Sequence, residues 1–139
     1  MKSSLDITWL QNMSFETEIN GHKLIIDADS SVGGENKGPR PKPLMLAALG
    51  GCTGMDVVSI LKKMRVKLEK FNVKIETELT EEHPKHYYKM HIIYEFTGKD
   101  LPVEKLKKAV DLSENRYCGV SAVYSKAVEM SSEIKVFES

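Results

Sequence analysis

One long apolar segment, residues 44–64, most constrains how this chain can fold. Its apolar residues are too dense for the alternation of a strand, and it ends in the cations Lys62, Lys63, Arg65 and Lys67. Positive side chains stabilise the negative carboxyl end of a helix. The segment therefore predicts a central helix, with predicted strands before and after it.

The segments before this helix predict a three-stranded meander. Residues 5–9, 15–19 and 23–27 alternate between apolar and polar types, which is the period of a half-buried strand. The second and third segments meet across Asn20 and Gly21, a pair suited to a tight primed turn. Three of the five prolines follow, together with several glycines and serines, so residues 28–43 predict a loop without regular structure.

The whole chain predicts an α+β domain with the element order βββ-α-ββ-αα-β and antiparallel sheets. One predicted strand should bury Tyr88 on the same face as Met90, Ile92, Tyr94 and Phe96. The elements predicted after the central helix are strands over 71–80 and 87–97, helices over 102–115 and 118–128, and a strand over 130–137.

Length and charge exclude several classes of function. The 139 residues suit one domain, residues 1–139, and the 20 basic residues are balanced by 20 acidic ones. A chain without net charge has no long-range field to collect nucleic acid or anionic lipid. Neither a leader pattern nor eighteen consecutive apolar residues occurs, so we expect no membrane segment and a cytoplasmic location.

Small residues form an unusual face on the predicted central helix. Ala47, Gly50, Gly51 and Gly54 recur at helical spacing. Each glycine costs roughly 1 kcal/mol in a helix interior relative to alanine, so close approach of another backbone should offset the loss. This face could receive a helix of the same domain or of a partner subunit. The alternative is a weakened, kinked helix without functional meaning.

The two cysteines are the candidate site residues. Cys52 lies on the predicted central helix, and Cys118 opens a predicted helical stretch whose free N–H groups favour a thiolate. In a reducing compartment such a pair more often serves chemistry, or fills space, than forms a permanent bridge. The separation of the two cysteines in sequence does not decide whether they meet.

A metal site is not predicted from the sequence. His22, His83, His86 and His91 are dispersed, and neither cysteine has a partner at metal-ligand spacing. These histidines are interpreted as solvated residues of strands and turns. Asp56, a carboxylate inside the central helix, is assigned a capping or interface hydrogen bond rather than catalysis.

Two motifs resemble the OsmC and organic hydroperoxide resistance family. Residues 43–53 read PLMLAALGGCT, and residues 112–121 read LSENRYCGVS. The first resembles the family's cysteine-bearing helix and the second its second cysteine motif, while His83, Pro84 and Lys85 resemble its hairpin. The resemblance covers residues 38–136 and is closest to the branch of OsmC-like redox proteins.

This resemblance implies a fold, a partner and a reaction. The fold is an intertwined homodimer whose sheets enclose two central helices, with each site at the subunit interface. In the implied reaction, Cys52 attacks an organic hydroperoxide, Cys118 resolves the sulfenic acid as a disulfide, and an external dithiol resets the pair without a cofactor. The alternative is a non-catalytic dimer that binds a small apolar or thiol-containing ligand at its interface.

The chain departs from the pattern of the family's peroxidases at two places. Lys42 stands ten residues before the first cysteine, where those enzymes place a carboxylate. They also carry an arginine in the N-terminal strands, whereas no arginine precedes Arg40 here. Arg40, Lys42 and Glu35 are the candidates to replace the missing groups.

Overall fold

The computed structural model describes residues 1–139 and confirms the predicted order of elements. The chain forms two compact units, Met1–Ala47 and Ala48–Ser139, and the assignment of one domain to residues 1–139 stays a prediction. The strands are β1 (Ile7–Gln11), β2 (Ser14–Ile19), β3 (His22–Ile26), β4 (Lys70–Leu79), β5 (Tyr87–Gly98) and β6 (Glu129–Glu138). The helices are α1 (Pro43–Lys63), α2 (Val103–Leu112) and α3 (Gly119–Tyr124).

The first unit is an antiparallel sheet in the order β1-β2-β3. Asn20 and Gly21 both have positive φ, 51° and 83°, which confirms the predicted primed turn. Strand pairing places apolar side chains of all three strands on one face. Ile7, Trp9 and Ile19 on this face are 53%, 61% and 41% exposed, so the sheet leaves much apolar surface uncovered.

The predicted loop contains one short 3-10 helix, Ser30–Val32, which corrects the expectation of no regular structure. Asp29 makes this turn possible because its carboxylate accepts the backbone N–H of Ser31 at 2.9 Å. Asp27 is buried, and its carboxylate accepts three further backbone N–H groups of the loop. The N–H of Lys37 contributes most to the lowered pKa of Asp27.

The second unit contains the order β4-β5-β6, in which one pairing is parallel. β4 and β5 are antiparallel, as a hairpin requires, but β6 runs parallel to β5. The prediction of antiparallel sheets therefore holds for every other strand pair. The physical reason is the crossover through α2 and α3, which returns the chain to the end of the sheet where β5 began.

Helix α1 buries one stripe of residues at a spacing of four. Leu49, Thr53, Val57 and Leu61 are all 1% exposed or less. By length and composition α1 could cross a membrane, since its mean hydropathy is 1.8 and only 22% of that window is buried in the chain. Core helices pass the same test, and the buried stripe of α1 lies in the core of the second unit together with side chains of β5 and α2.

The glycines of α1 lie against a strand and not against another helix. A side chain added at Gly50 would meet Ile75 of β4 at 3.4 Å, and one added at Gly54 would meet Val73 at 3.5 Å. Gly51 has no neighbour within 4 Å. Within the chain, the small residues therefore let α1 approach β4, which corrects the expectation that they receive a helix of the same domain.

A β-bulge changes which tyrosine of β5 is buried. The register shifts between Glu78 and Leu79, and Leu79 pairs with Tyr87. Tyr87 is consequently buried while Tyr88 is 43% exposed, which corrects the expectation that Tyr88 shares the core face. A one-residue offset moves side chains to the opposite face, and alternation alone does not reveal where it occurs.

Candidate functional site

The structure brings the two predicted site residues together. The sulfurs of Cys52 and Cys118 and a carboxylate oxygen of Asp56 all lie within 4.8 Å of one another. Cys52 is half-buried on α1, and Cys118 is 3% exposed immediately before α3. Both thiols are free in this structure.

A widened turn between α2 and α3 positions Cys118. α2 ends at Leu112, and a single turn of π-helix follows over Ser113–Tyr117. The backbone N–H of Cys118 donates to the carbonyl of Ser113 at 2.7 Å, which closes this turn. Isolated π turns often occur where a helix must redirect a functional side chain. Here the turn delivers Cys118 to the surface of α1 that carries Cys52.

Backbone N–H groups at the start of α3 point at both sulfurs. The N–H of Ser121 donates to Cys118 Sγ at 3.3 Å. The N–H of Val120 donates to the sulfur of Cys52, which acts to lower the pKa of that thiol. These donors arise because Cys118 caps α3, whose first N–H groups have no partner within the helix.

The pKa of the Cys52 thiol is nevertheless raised. Burial is the largest cause because it disfavours the charged thiolate, and the neighbouring sulfur of Cys118 and the Asp56 carboxylate raise this pKa further. Arg40, one predicted source of a compensating cation, donates instead to Asn36, to the Gly38 carbonyl and to Asp29 in its own loop. Glu35 accepts a hydrogen bond from Asn12 and pairs with Lys37.

A chain of hydrogen bonds leads from the thiols into the core. Ser113 Oγ donates to Asp56 Oδ2 at 3.1 Å and lies 2.7 Å from Thr53 Oγ1. Thr53 Oγ1 lies 2.9 Å from the hydroxyl of Tyr94, which donates to Glu114 Oε2 at 2.9 Å. Burial is the main cause of the raised pKa of Tyr94, so this hydroxyl stays protonated. The network fixes the orientation of Asp56 beside the sulfurs.

Ser121, whose backbone N–H donates to Cys118 Sγ, also lines a cavity of about 310 Å³. Ile92 and Met130 form apolar parts of its wall, while Glu114 and Ser121 form polar parts. Ser121 Oγ is buried and has no hydrogen-bond partner in the chain. A buried hydroxyl without a partner is uncommon and costs free energy, so it is available to a bound molecule.

Sequence reasoning missed most of the polar residues around the thiols. The sequence predicts a capping or interface hydrogen bond for Asp56. The structure instead gives it a hydrogen bond from Ser113 within the same unit, and also places it beside both sulfurs. Ser113, Thr53 and Tyr94 received no functional assignment. The sequence does contain one signal for these residues, because helix or strand periodicity places their hydroxyl groups at buried positions. A buried hydroxyl requires a polar partner, so a hydrogen-bond network could have been expected there.

We expect the shared hydroxyl of this network to contribute to stability. Thr53→Val keeps the shape of the side chain but removes the bonds to Tyr94 and Ser113, and should cost about 1–3 kcal/mol of unfolding free energy. Urea unfolding would measure it. Ser59→Ala, which removes an exposed hydroxyl from the same helix, should change stability by less than about 0.5 kcal/mol. Equal stability of Thr53→Val and the wild type would contradict this interpretation.

Comparison with known proteins identifies the family. The family model described as OsmC-like protein matches residues 34–133. The chain belongs to the OsmC-like family. Protein YhfA of Escherichia coli strain K12 is 34% identical over 131 residues, which cover 94% of this chain and 95% of YhfA. The family resemblance seen in the two cysteine motifs is thereby confirmed.

Solved structures share the fold of this chain. A hypothetical protein from Aquifex aeolicus VF5 matches with a TM-score of 0.82 and 28% identity over 98% of each chain. The organic hydroperoxide resistance protein OhrB of Bacillus subtilis matches with a TM-score of 0.66 and 16% identity, covering 96% of this chain and 98% of OhrB. The second likeness concerns the fold alone. Membership in this family, with two neighbouring cysteines, indicates a redox role.

Proposed function

We propose that this OsmC-like protein reduces organic hydroperoxides with Cys52 and Cys118 as its redox pair. The observation that carries the proposal is the approach of the two sulfurs to within 4.8 Å. A disulfide needs about 2.05 Å between sulfurs, so rotation of the two side chains must close the remaining gap. OhrB, which shares this fold, is named an organic hydroperoxide resistance protein, and this supports the same class of substrate.

The proposed reaction has two steps at sulfur. The Cys52 thiolate attacks the terminal oxygen of the hydroperoxide, the O–O bond breaks, and the departing alkoxide takes a proton to leave as an alcohol. Cys118 then attacks the sulfur of the Cys52 sulfenic acid, an S–S bond forms, and hydroxide takes a proton to leave as water. An external dithiol reduces the disulfide and is itself oxidised to a disulfide.

Residues around the sulfurs have separate roles in this proposal. An Asp56 carboxylate oxygen lies within 4.8 Å of the Cys52 sulfur, so we assign it the role of accepting the thiol proton through one bridging water, and the hydrogen bond from Ser113 holds this carboxylate in place. The cavity lined by Ser121 is assigned to the organic part of the hydroperoxide, with the Ser121 hydroxyl available to one of its oxygens. The reductant and a cytoplasmic location are part of the same proposal, because a dithiol must be supplied.

Peroxide consumption tests this function. The purified protein with an excess of dithiothreitol should consume cumene hydroperoxide over many turnovers, and the rate should rise with pH because the thiolate of Cys52 is disfavoured near neutrality. A protein that only binds a small apolar or thiol-containing ligand would not accelerate consumption above the rate with dithiothreitol alone. That outcome would contradict the proposed reductase activity and favour the non-catalytic binding protein.

We also propose that the protein acts as a homodimer, because apolar surface remains exposed in both compact units. In α1, Met55 is 77% and Val58 is 46% exposed, and in the first sheet Trp9 is 61% exposed. Single exposed apolar residues are ordinary, but a run of them on one helix marks a contact surface. Packing of these faces against a second copy of the chain would remove the unfavourable contact between apolar side chains and water.

We expect Met55→Glu to weaken the proposed dimer, because it would bury a charge in the subunit contact. Sedimentation velocity should show a dimer for the wild type and a shift toward monomer for the variant. Val103→Glu, at a 42% exposed apolar residue of α2, makes the same change elsewhere and should leave the dimer intact. A wild-type protein that sediments as a monomer at all concentrations would rule out the dimer.

A further inference from the structure

We propose that Cys52, Asp56 and Cys118 together bind one zinc ion. The inference starts from their donor atoms, two sulfurs and one carboxylate oxygen, which all lie within 4.8 Å of one another. Thiolate and carboxylate are both ordinary zinc ligands. Asp56 on α1 thus supplies a third ligand, which corrects the expectation from the sequence that neither cysteine has a partner at metal-ligand spacing.

The helix supplies two of the three ligands in a favourable arrangement. Cys52 and Asp56 are four residues apart on α1, so their side chains lie on one face one turn apart. This is the spacing at which two ligands on one helix bind a common metal ion. Cys118 approaches the same face from the start of α3, so the ligands come from two elements of the second unit.

The distances require only a small contraction. Zn–S bonds of about 2.3 Å and Zn–O bonds of about 2.0 to 2.2 Å place tetrahedral ligand atoms roughly 3.5 to 3.8 Å apart. The present separations, up to 4.8 Å, exceed this by about 1 Å, which rotation of cysteine and aspartate side chains can supply. Three protein ligands leave the fourth position open for water or a thiol.

The three proposed ligands already have hydrogen-bond partners of the kind that orient the ligands of a metal ion. The hydroxyl of Ser113 donates to one Asp56 oxygen, Oδ2, and leaves capacity on the carboxylate for a metal. The N–H groups of Val120 and Ser121 donate to the sulfurs of Cys52 and Cys118, respectively. Such partners orient ligands and are a regular feature of metal sites. None of the chain's ion pairs involves Asp56, so no cationic side chain competes for its carboxylate.

Zinc binding would act on the same atoms as the proposed redox reaction. The ion replaces the two thiol protons, which pass to water, and both sulfurs become metal-bound thiolates. Sulfur lone pairs committed to zinc are less available to a hydroperoxide, and no disulfide can form while both are bound. This part of the inference depends on the proposed function, whereas binding of the metal itself does not.

Cobalt(II) provides the first test because it reports its own ligands. The reduced, metal-free protein should bind one Co²⁺ per chain, with near-ultraviolet absorption from two thiolates and the intense visible bands of a tetrahedral ion. Zn²⁺ should displace it and abolish both signals, since zinc binds such sites more tightly than cobalt. Protein oxidised with diamide, which has lost its thiols, should bind neither ion.

Variants distinguish zinc binding by all three ligands from zinc binding by the two cysteines alone. Asp56→Asn should weaken Zn²⁺ affinity at least tenfold, and Cys52→Ser and Cys118→Ser should each remove about half of the thiolate absorption. Glu104→Gln, at an exposed carboxylate of α2, is the matched control and should bind like the wild type. Circular dichroism of every variant verifies that it is folded. The proposal is overturned if Co²⁺ gives no thiolate absorption, or if a folded Asp56→Asn binds Zn²⁺ as tightly as the wild type.

Peroxide assays distinguish failure of this inference from failure of the proposed function. Stoichiometric Zn²⁺ should slow the single turnover of cumene hydroperoxide by the reduced protein at least tenfold, measured without dithiothreitol because that dithiol binds zinc itself, and a chelator should restore the rate. Active protein that binds no zinc would overturn the metal site and leave the reductase in place. Protein that binds zinc but never consumes peroxide would retain the metal site and overturn the reductase.

Discussion

Cys52→Ser should lower the rate of cumene hydroperoxide consumption at least about a thousandfold. A serine hydroxyl remains protonated at neutral pH and is a poor nucleophile toward peroxide, so the first bond to oxygen cannot form. The remaining residues act only on that sulfur, and their contributions disappear with it. The measurement is the initial rate with excess dithiothreitol, after subtraction of the rate without protein.

Cys118→Ser should give a different result, which separates the two roles. Without dithiothreitol, one equivalent of peroxide should be consumed in a burst, and Cys52 should then persist as a sulfenic acid that dimedone traps. Ser59→Ala, a small change at an exposed position of α1, is the control and should keep the wild-type rate. If Cys118→Ser lost the burst and Cys52→Ser kept it, the assignment of attacking and resolving thiols would have to be reversed.

Phe96→Ala should have the largest effect on stability among these variants. Phe96 is fully buried on β5, and its ring stacks on that of Phe71 with 4.6 Å between centroids. Truncation would leave a cavity in the core and should cost about 3–5 kcal/mol of unfolding free energy. Urea unfolding followed by circular dichroism would measure the loss.

The neighbouring strand offers a matched control for this substitution. Phe137 lies on β6 and is 47% exposed, so Phe137→Ala removes the same atoms from a position that buries far less of them. We expect its cost to be less than half that of Phe96→Ala. Similar costs for the two variants would contradict the burial of Phe96 in the core.

Local patterns determined how much of the fold could be predicted. The strands and α1 follow from short-range periodicity, and the turn at Asn20 and Gly21 follows from positive φ, which these residues tolerate. The exposure of Tyr88 depends on a bulge, and the position of Gly50 depends on contact with β4. Neither feature has a signal in nearby residues, because both arise from pairing and packing between elements.

Only those residues of the candidate site that are recognisable by their type alone could be predicted from the sequence. Cys52 and Cys118 stand out by type, but Asp56 joins them through the helical spacing of α1 and the turn that begins at Ser113. That turn is a π-helix, and sequence periodicity predicted an uninterrupted helix to residue 115. The extra residue in this turn is what redirects the chain toward Cys52.

Formation of an intramolecular disulfide is the decisive test of the Cys52 and Cys118 redox pair. One equivalent of cumene hydroperoxide should be added to the fully reduced protein without any other thiol, followed by thiol titration and mass mapping of peptides. We predict the loss of both thiols and one peptide pair joined through Cys52 and Cys118 of the same chain. Two thiols still free, or one lost with no disulfide formed, would contradict the account.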